Sequence, residues 1–266
     1  MPHIYHTPGQ TGRAVAELLH GSLKDFFASK RGCFANTVKA FPKVLDAFEA
    51  LDETWARALE DSGAGITTKQ VLPLSLLFET NGRIRLAFEL GFSRCLPEAW
   101  AVMRAGIESF AYGCAFLHEP FTDGTTVVTD EEMLRGRRRL RRAFKKIREQ
   151  GLYLPEYGLS RLRRYWQRYS EFGSHSSWTS LATRLSRREA PGHFDVSFNF
   201  LEVDKRTCHV SLVDLLNCSC IMEDALLRNL KGRLQLDPRF LDMHAALKEK
   251  WRKANRELLE LYAPKA

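Results

Sequence analysis

Residues 97–120 read PEAWAVMRAGIESFAYGCAFLHEP, and the period of this stretch decides the fold. Trp100, Met103, Ile107, Phe110, Cys114 and Leu117 recur at intervals of three and four, which places them along one side of an α-helix. Pro97 suits the first turn, where no amide donor is needed, and Pro120 stops the helix. Arg104, Glu108 and Tyr112 make one polar line at i, i+4 and i+8 on this otherwise apolar helix.

The same period extends outward in both directions. Val15, Leu18, Leu19, Leu23, Phe26 and Phe27 form one stripe, and Val44, Leu45, Phe48, Leu51, Trp55 and Leu59 form another that Ser62-Gly-Ala-Gly65 ends. Thr68 caps a third helix through Leu74, Leu77 and Phe78 toward Leu90. Beyond the 120–128 loop, Thr129-Asp-Glu-Glu132 reads as a capping box. It opens a helix with Met133, Leu140, Phe144 and Ile147 inward and Gly151 at its end. Ser160 opens the next, with Leu162, Tyr165, Trp166, Tyr169 and Phe172 inward.

The period then changes to two. Phe194, Val196, Phe198 and Phe200 alternate with polar residues, Asp204-Lys-Arg206 reads as a turn, and Thr207 to Leu212 as a return strand. This predicts a β-hairpin near 194–212. Leu212, Leu215, Leu216, Met222, Leu226 and Leu230 resume the helical period, and Asp237-Pro238 opens a last helix to about Tyr262. The expected fold is mainly α, a multi-helix bundle carrying one β-hairpin. Residues 1–96 read as an N-terminal helical region and 97–266 as a helical core, and the two read equally as one continuous domain.

Composition excludes several classes. At 44% hydrophobic and 27% charged, the chain is globular rather than disordered. No apolar run reaches the ~20 residues of a membrane span, and the start lacks a basic segment followed by an apolar one. A cytoplasmic protein is expected. The six cysteines are scattered among apolar residues, which predicts reduced, buried thiols. Cys218 and Cys220, with Cys208 and His209, do not make a zinc-ligand spacing. No phosphate-binding loop, nucleophile elbow or metalloprotease helix occurs, so no metal or cofactor is expected.

Charge is localised. From Arg135 to Arg168 there are thirteen Arg or Lys and two acids, Glu149 and Glu156, a local +11 in a chain of net +8. Arg137, Arg138, Arg139, Arg141, Arg142, Lys145, Lys146 and Arg148 surround the apolar stripe of one helix, and Arg161 and Arg164 follow on the next. Like charges at these spacings repel by a few tenths of a kcal/mol per pair, which a polyanion relieves. Arginine outnumbers lysine and favours bidentate phosphate contact. Nucleic acid, RNA rather than DNA, is the leading partner. A solvated face neutralised by acidic patches and an anionic membrane surface are the alternatives.

The block ends at Arg168-Tyr-Ser-Glu-Phe-Gly-Ser-His175. Seven residues are nearly two turns, about 10 Å along a continuous helix, with Gly173 able to bend it. An arginine stabilises phosphoryl charge, and a histidine exchanges protons near neutrality. Glu108 is the third candidate, to orient His175 or pair with Arg168; a plain Arg104–Glu108 ion pair is the other reading of that line. For His175, a hydrogen-bonded structural role beside Ser174, Ser176 and Ser177 is the alternative.

Arg168-X6-His175 in a helical setting resembles the Arg-X(4–6)-His signature of the HEPN superfamily, over about residues 97–190. The resemblance implies a helical-bundle domain, often dimeric. It also implies metal-independent endoribonuclease chemistry of the kind found in toxin–antitoxin and phage-defence systems. Other members only bind nucleotides or RNA. It assigns Arg168 to the phosphate and transition state and His175 to acid–base work. Tyr169 stands where members often carry a polar residue such as Asn. Residues 169–177 are also similar to a signature of uncharacterised bacterial helical families, a tyrosine followed by Ser-Glu, an aromatic residue and a His. The expectation is an RNA-binding protein of this type, an endoribonuclease in its catalytic form. A non-catalytic nucleic-acid- or protein-binding module and a homo-oligomeric scaffold are the alternatives.

Overall fold

The computed structural model describes residues 21–62, 68–118, 130–173, 185–190, 193–198, 201, 204–230 and 239–262. Among these are eight α-helices: α1 (Gly21–Ala40), α2 (Pro42–Ser62), α3 (Thr68–Phe92), α4 (Leu96–His118), α5 (Asp130–Gln150), α6 (Ser160–Gly173), α7 (Lys205–Leu230) and α8 (Arg239–Tyr262). A short 3₁₀ turn (Pro155–Tyr157) precedes α6. The chain is a multi-helix bundle, as the apolar period predicts. None of the described helices is long and apolar enough to cross a membrane.

α4 carries the bundle. None of its residues is exposed, because apolar side chains occur on nearly every side of it. α3 and α4 are joined by Ser93-Arg94-Cys95 and run back to back. Arg94 adopts a left-handed φ of 64°, and its amide and that of Cys95 close the end of α3 on Gly91 O and Leu90 O. α7 is the second central element, touching α2, α3, α4, α6 and α8, while α8 packs along α2. Buried residues from Phe41 to Ala254, on both sides of Pro97, belong to one cluster. The 120–128 loop lies outside the described residues.

The hairpin predicted near 194–212 is not formed. Its return arm, Thr207 to Leu212, is the first part of α7. Asp204, read as a turn residue, is a helix cap. Its carboxylate accepts the Thr207 amide at 2.9 Å and its carbonyl accepts the Cys208 amide at 3.0 Å. The Thr207 hydroxyl and then its amide, bonded to that carboxylate, hold it below the usual range. Cys208, Leu212, Leu215 and Leu216 are buried and Val210 is exposed, which is the helical period rather than alternation. The strand His193–Phe198 (β2) instead pairs backwards, antiparallel, with Leu185–Ala190 (β1), from Leu185↔Phe198 to Ala190↔His193.

The first stripe departs from expectation too. Leu23, Phe26 and Phe27 lie on α1 but are exposed, and Val15, Leu18 and Leu19 lie outside the described residues. The cysteines behave as predicted: all six are free thiols, five buried and Cys33 half-buried. Burial pushes the Cys208 thiol up to about 11. α7 and α8 are also clasped by charge. Glu223 accepts His244 Nδ1 at 2.6 Å, and Lys248 reaches Asp224 at 2.8 Å.

Two consequences are measurable. A Cβ on Gly113 would stand 3.1 Å from Leu77 and 3.4 Å from the Pro73 carbonyl, where α4 meets α3. Gly113→Val is therefore expected to cost about 1–3 kcal/mol by overpacking, read as a lower urea midpoint at unchanged m. His209 is wholly buried, stacked on Phe41 at 4.3 Å, with neither ring nitrogen hydrogen-bonded. Burial holds its pKa below 6.5, the nearby Glu257 opposing and Lys205 reinforcing. The unfolded chain thus takes up the proton first, so stability is full above about pH 6.5 and falls as pH drops toward the folded value. Urea midpoints at pH 7.5 and 5.5 should drop further for the wild type than for His209→Phe.

Candidate nucleic-acid interface

The Arg104 and Glu108 side chains of the α4 polar line are partly exposed, and their partners come from α4 itself and from neighbouring elements. Arg104 donates to Glu108 Oε1 at 3.1 Å. Trp166 Nε1, from α6, donates to the same oxygen at 2.7 Å. The Arg104 guanidinium also lies over the Trp166 ring, 5.2 Å from its centroid, a cation–π contact. One turn further along, the Tyr112 hydroxyl accepts Arg148 Nε at 3.3 Å from the end of α5. That bond, with the Glu108 charge behind it, raises the Arg148 pKa further.

α5 reaches this place through its narrow apolar stripe. Ile147 is buried, and the Phe144 ring packs on Tyr112 at 4.5 Å and on Phe116 at 5.1 Å. Gly151 then stops the helix at φ 106°, a conformation open to glycine without steric cost. Its amide bonds back to Ile147 O, and the chain turns through Leu152 to Pro155 into α6.

The result is a cavity of ≈ 870 Å³. Arg104, Glu108, Tyr112, Arg148, Arg163 and Trp166 line it, with Ser160 and an apolar wall of Leu152, Leu154 and Pro155. A second cleft of ≈ 400 Å³ runs along α5, lined by Tyr112, Leu140, Arg141, Phe144, Lys145 and Arg148. Tyr112 and Arg148 are common to both. Tyr153 stands in the wall with its hydroxyl buried and unbonded, and burial drives its pKa far up.

The opposite face of α6 looks toward α7. Arg168 Nη1 donates to Asp214 Oδ1 at 2.6 Å, and the Tyr169 hydroxyl donates to Asp214 Oδ2 at 2.9 Å. The Arg168 guanidinium also lies over Tyr165 at 5.3 Å. Burial pushes the Asp214 carboxyl up, and Arg168 and Tyr169 pull it back. Arg168 keeps 48% of its side chain exposed.

Arg168 and Glu108 are thus not brought together: Glu108 bonds Trp166 on one face of α6, while Arg168, on the other face, bonds Asp214 of α7. His175 lies outside the described residues. Of the basic residues singled out, Arg138, Arg139, Arg141, Arg142, Lys145, Lys146 and Arg148 are exposed along α5, and Arg161 and Arg164 along α6. The Arg137 side chain lies outside the described ones. Glu149 pairs with Lys145 at 3.6 Å.

Sequence reasoning missed Arg163, Ser160 and Trp166 as one wall, although 160, 163 and 166 follow the helical spacing. It missed Asp214 as well, whose signal is a lone acid among Leu212, Val213, Leu215 and Leu216. No family model, curated protein or solved structure matches this chain.

Asp214→Ala is expected to cost about 1–3 kcal/mol, because the buried Tyr169 hydroxyl loses its acceptor. Adding Tyr169→Phe should recover part of that loss in chemical unfolding. A double variant less stable than the single one would show that the hydroxyl has another partner.

Proposed function

We propose that the protein binds RNA along the exposed cationic face of α5 and the first turns of α6. One observation carries this reading: seven arginines and lysines are exposed from Arg138 to Arg148. Self-repulsion on such a helix falls when phosphates occupy it, and released counterions add to the binding. Arginines that stay exposed on two neighbouring helices give the face width as well as length. The half-buried Trp166 ring at its edge offers a stacking partner to an unpaired base.

Under this reading Arg168 is a positioned phosphate contact. Asp214 and the Tyr165 ring fix the guanidinium while about half of the side chain remains exposed. With His175 as proton donor or acceptor, the pair makes a metal-independent endoribonuclease of the HEPN-like type. A helical module that binds RNA without cleaving it follows if His175 is structural.

Single-stranded RNA should bind with log K falling linearly in log salt, by about 0.7 per phosphate neutralised. Replacing Arg138, Arg142 and Lys146 together by alanine should lower that slope by about 2. Incubation with RNA in EDTA should yield cleavage that His175→Ala abolishes while leaving affinity intact. Persistent cleavage in that variant would remove His175 from the chemistry. Binding insensitive to salt would remove the RNA reading itself.

Self-association is a second reading, favoured by exposed Phe26, Phe27 and Phe34 on α1 and Val71, Phe78 and Leu86 on α3. Light scattering across a concentration series separates a homodimer from a monomer.

A further inference from the structure

We propose that the cavity between α4, α5 and α6 is a binding pocket for a nucleoside monophosphate unit. Its phosphate would lie on Arg148 and Arg163, and its base against the apolar wall and Trp166. The proposal rests on the RNA reading for the source of the nucleotide, as one unit of a bound strand, but not for the chemistry of the pocket.

Size and charge argue for it first. At ≈ 870 Å³ the cavity has the volume of a small-molecule site. Three guanidiniums and one carboxylate line it. Glu108 is already answered by Arg104 and Trp166. Arg148 and Arg163 are both exposed, one from the last turn of α5 and the other from the first turn of α6. Two such forks on one cavity suit a tetrahedral dianion, since guanidinium pairs with phosphate oxygens through parallel hydrogen bonds.

A bare phosphate would leave most of the pocket unused. Leu152, Leu154 and Pro155 give it an apolar wall, and Trp166 a ring. This combination fits a ligand with a flat, weakly polar body and an anionic end. Glu108 sharpens the fit. Both of its hydrogen bonds fall on Oε1, so Oε2 is left to accept an N–H from a base edge. A carboxylate at that point also repels a chain of phosphates filling the cavity. The occupant is thus one nucleotide rather than a polyphosphate.

The second cleft supplies the route. It shares Tyr112 and Arg148 with the cavity and continues along Arg141 and Lys145. A strand laid in it meets a phosphate-binding cation at successive turns of α5 before one nucleotide enters the pocket. This site is distinct from Arg168, which lies on the α7-facing side of α6.

Calorimetric titration of the full chain with AMP, GMP, adenosine and inorganic phosphate tests the pocket. Either nucleotide should bind at least about tenfold more tightly than adenosine or phosphate. Arg163→Ala should weaken that binding about tenfold, the scale of one charge-assisted hydrogen bond. Arg252→Ala, an exposed arginine on α8, should leave it unchanged. Absent nucleotide binding, or binding equal in wild type and Arg163→Ala, overturns the proposal. A labelled oligoribonucleotide separates the sources. If it binds and AMP competes with it, the occupant is a unit of the strand. Should AMP bind while no oligonucleotide does, the pocket stands as a free-nucleotide site and the RNA reading falls. If the oligonucleotide binds and neither nucleotide does, the pocket falls and the RNA reading stands.

Discussion

The burial of α4 on all sides is the constraint on which the rest depends. An apolar helix with no exposed residue must be surrounded, and α3, α6 and α7 do most of that. Its one polar line then becomes a problem of satisfaction. Its carboxylate and guanidinium keep about a third of their side-chain surface exposed and still take fixed partners. Glu108 takes Arg104 and Trp166, Tyr112 takes Arg148, and the elements that bring those partners leave a cavity between them. The cavity lies where those partners meet, and its lining joins their polar and aromatic side chains to the apolar wall of Leu152, Leu154 and Pro155.

α6 divides two kinds of chemistry by its period. Ser160, Arg163 and Trp166 face the cavity, and Tyr165, Arg168 and Tyr169 face α7. Two residues of separation turn a helical side chain by about half a circle or more. Trp166 and Arg168 therefore belong to different environments although they are close in sequence. On one face a carboxylate is shared by an indole and a guanidinium. On the other, Asp214 is shared by a buried phenol and a half-exposed guanidinium. In each case the acid orients an arginine that still has donors to offer.

α5 differs from the other helices in what holds it. Among its described side chains, Phe144 and Ile147 form a narrow seam with the core, and most of the exposed ones are cationic. Over these residues the helix is held by the fit of a few rings, Phe144 against Tyr112 and Phe116, and by the Arg148–Tyr112 bond. Its charges contribute little to holding it in place. They shape what can approach the surface, and they do so next to a cavity with the same sign of charge.

The sequence by itself determined the helical class, the ends of most helices, the reduced cysteines and the concentration of charge on α5. These are local properties, set by residue period, capping and composition. It also isolated the Arg104–Glu108–Tyr112 line, because polar residues at helical spacing stand out in an apolar run. It misread Thr207 to Leu212, where Cys208, Val210 and Leu212 satisfy both a period of two and part of a helical period. There the Asp204 cap and burial on α2, α3 and α4 chose the helix. Only the tertiary structure decided which side chains answer the buried polar ones. The pairings Glu108–Trp166 and Arg168–Asp214 span 58 and 46 residues. Nothing local specifies such contacts, because they follow from which helix faces the packing of the core has already used.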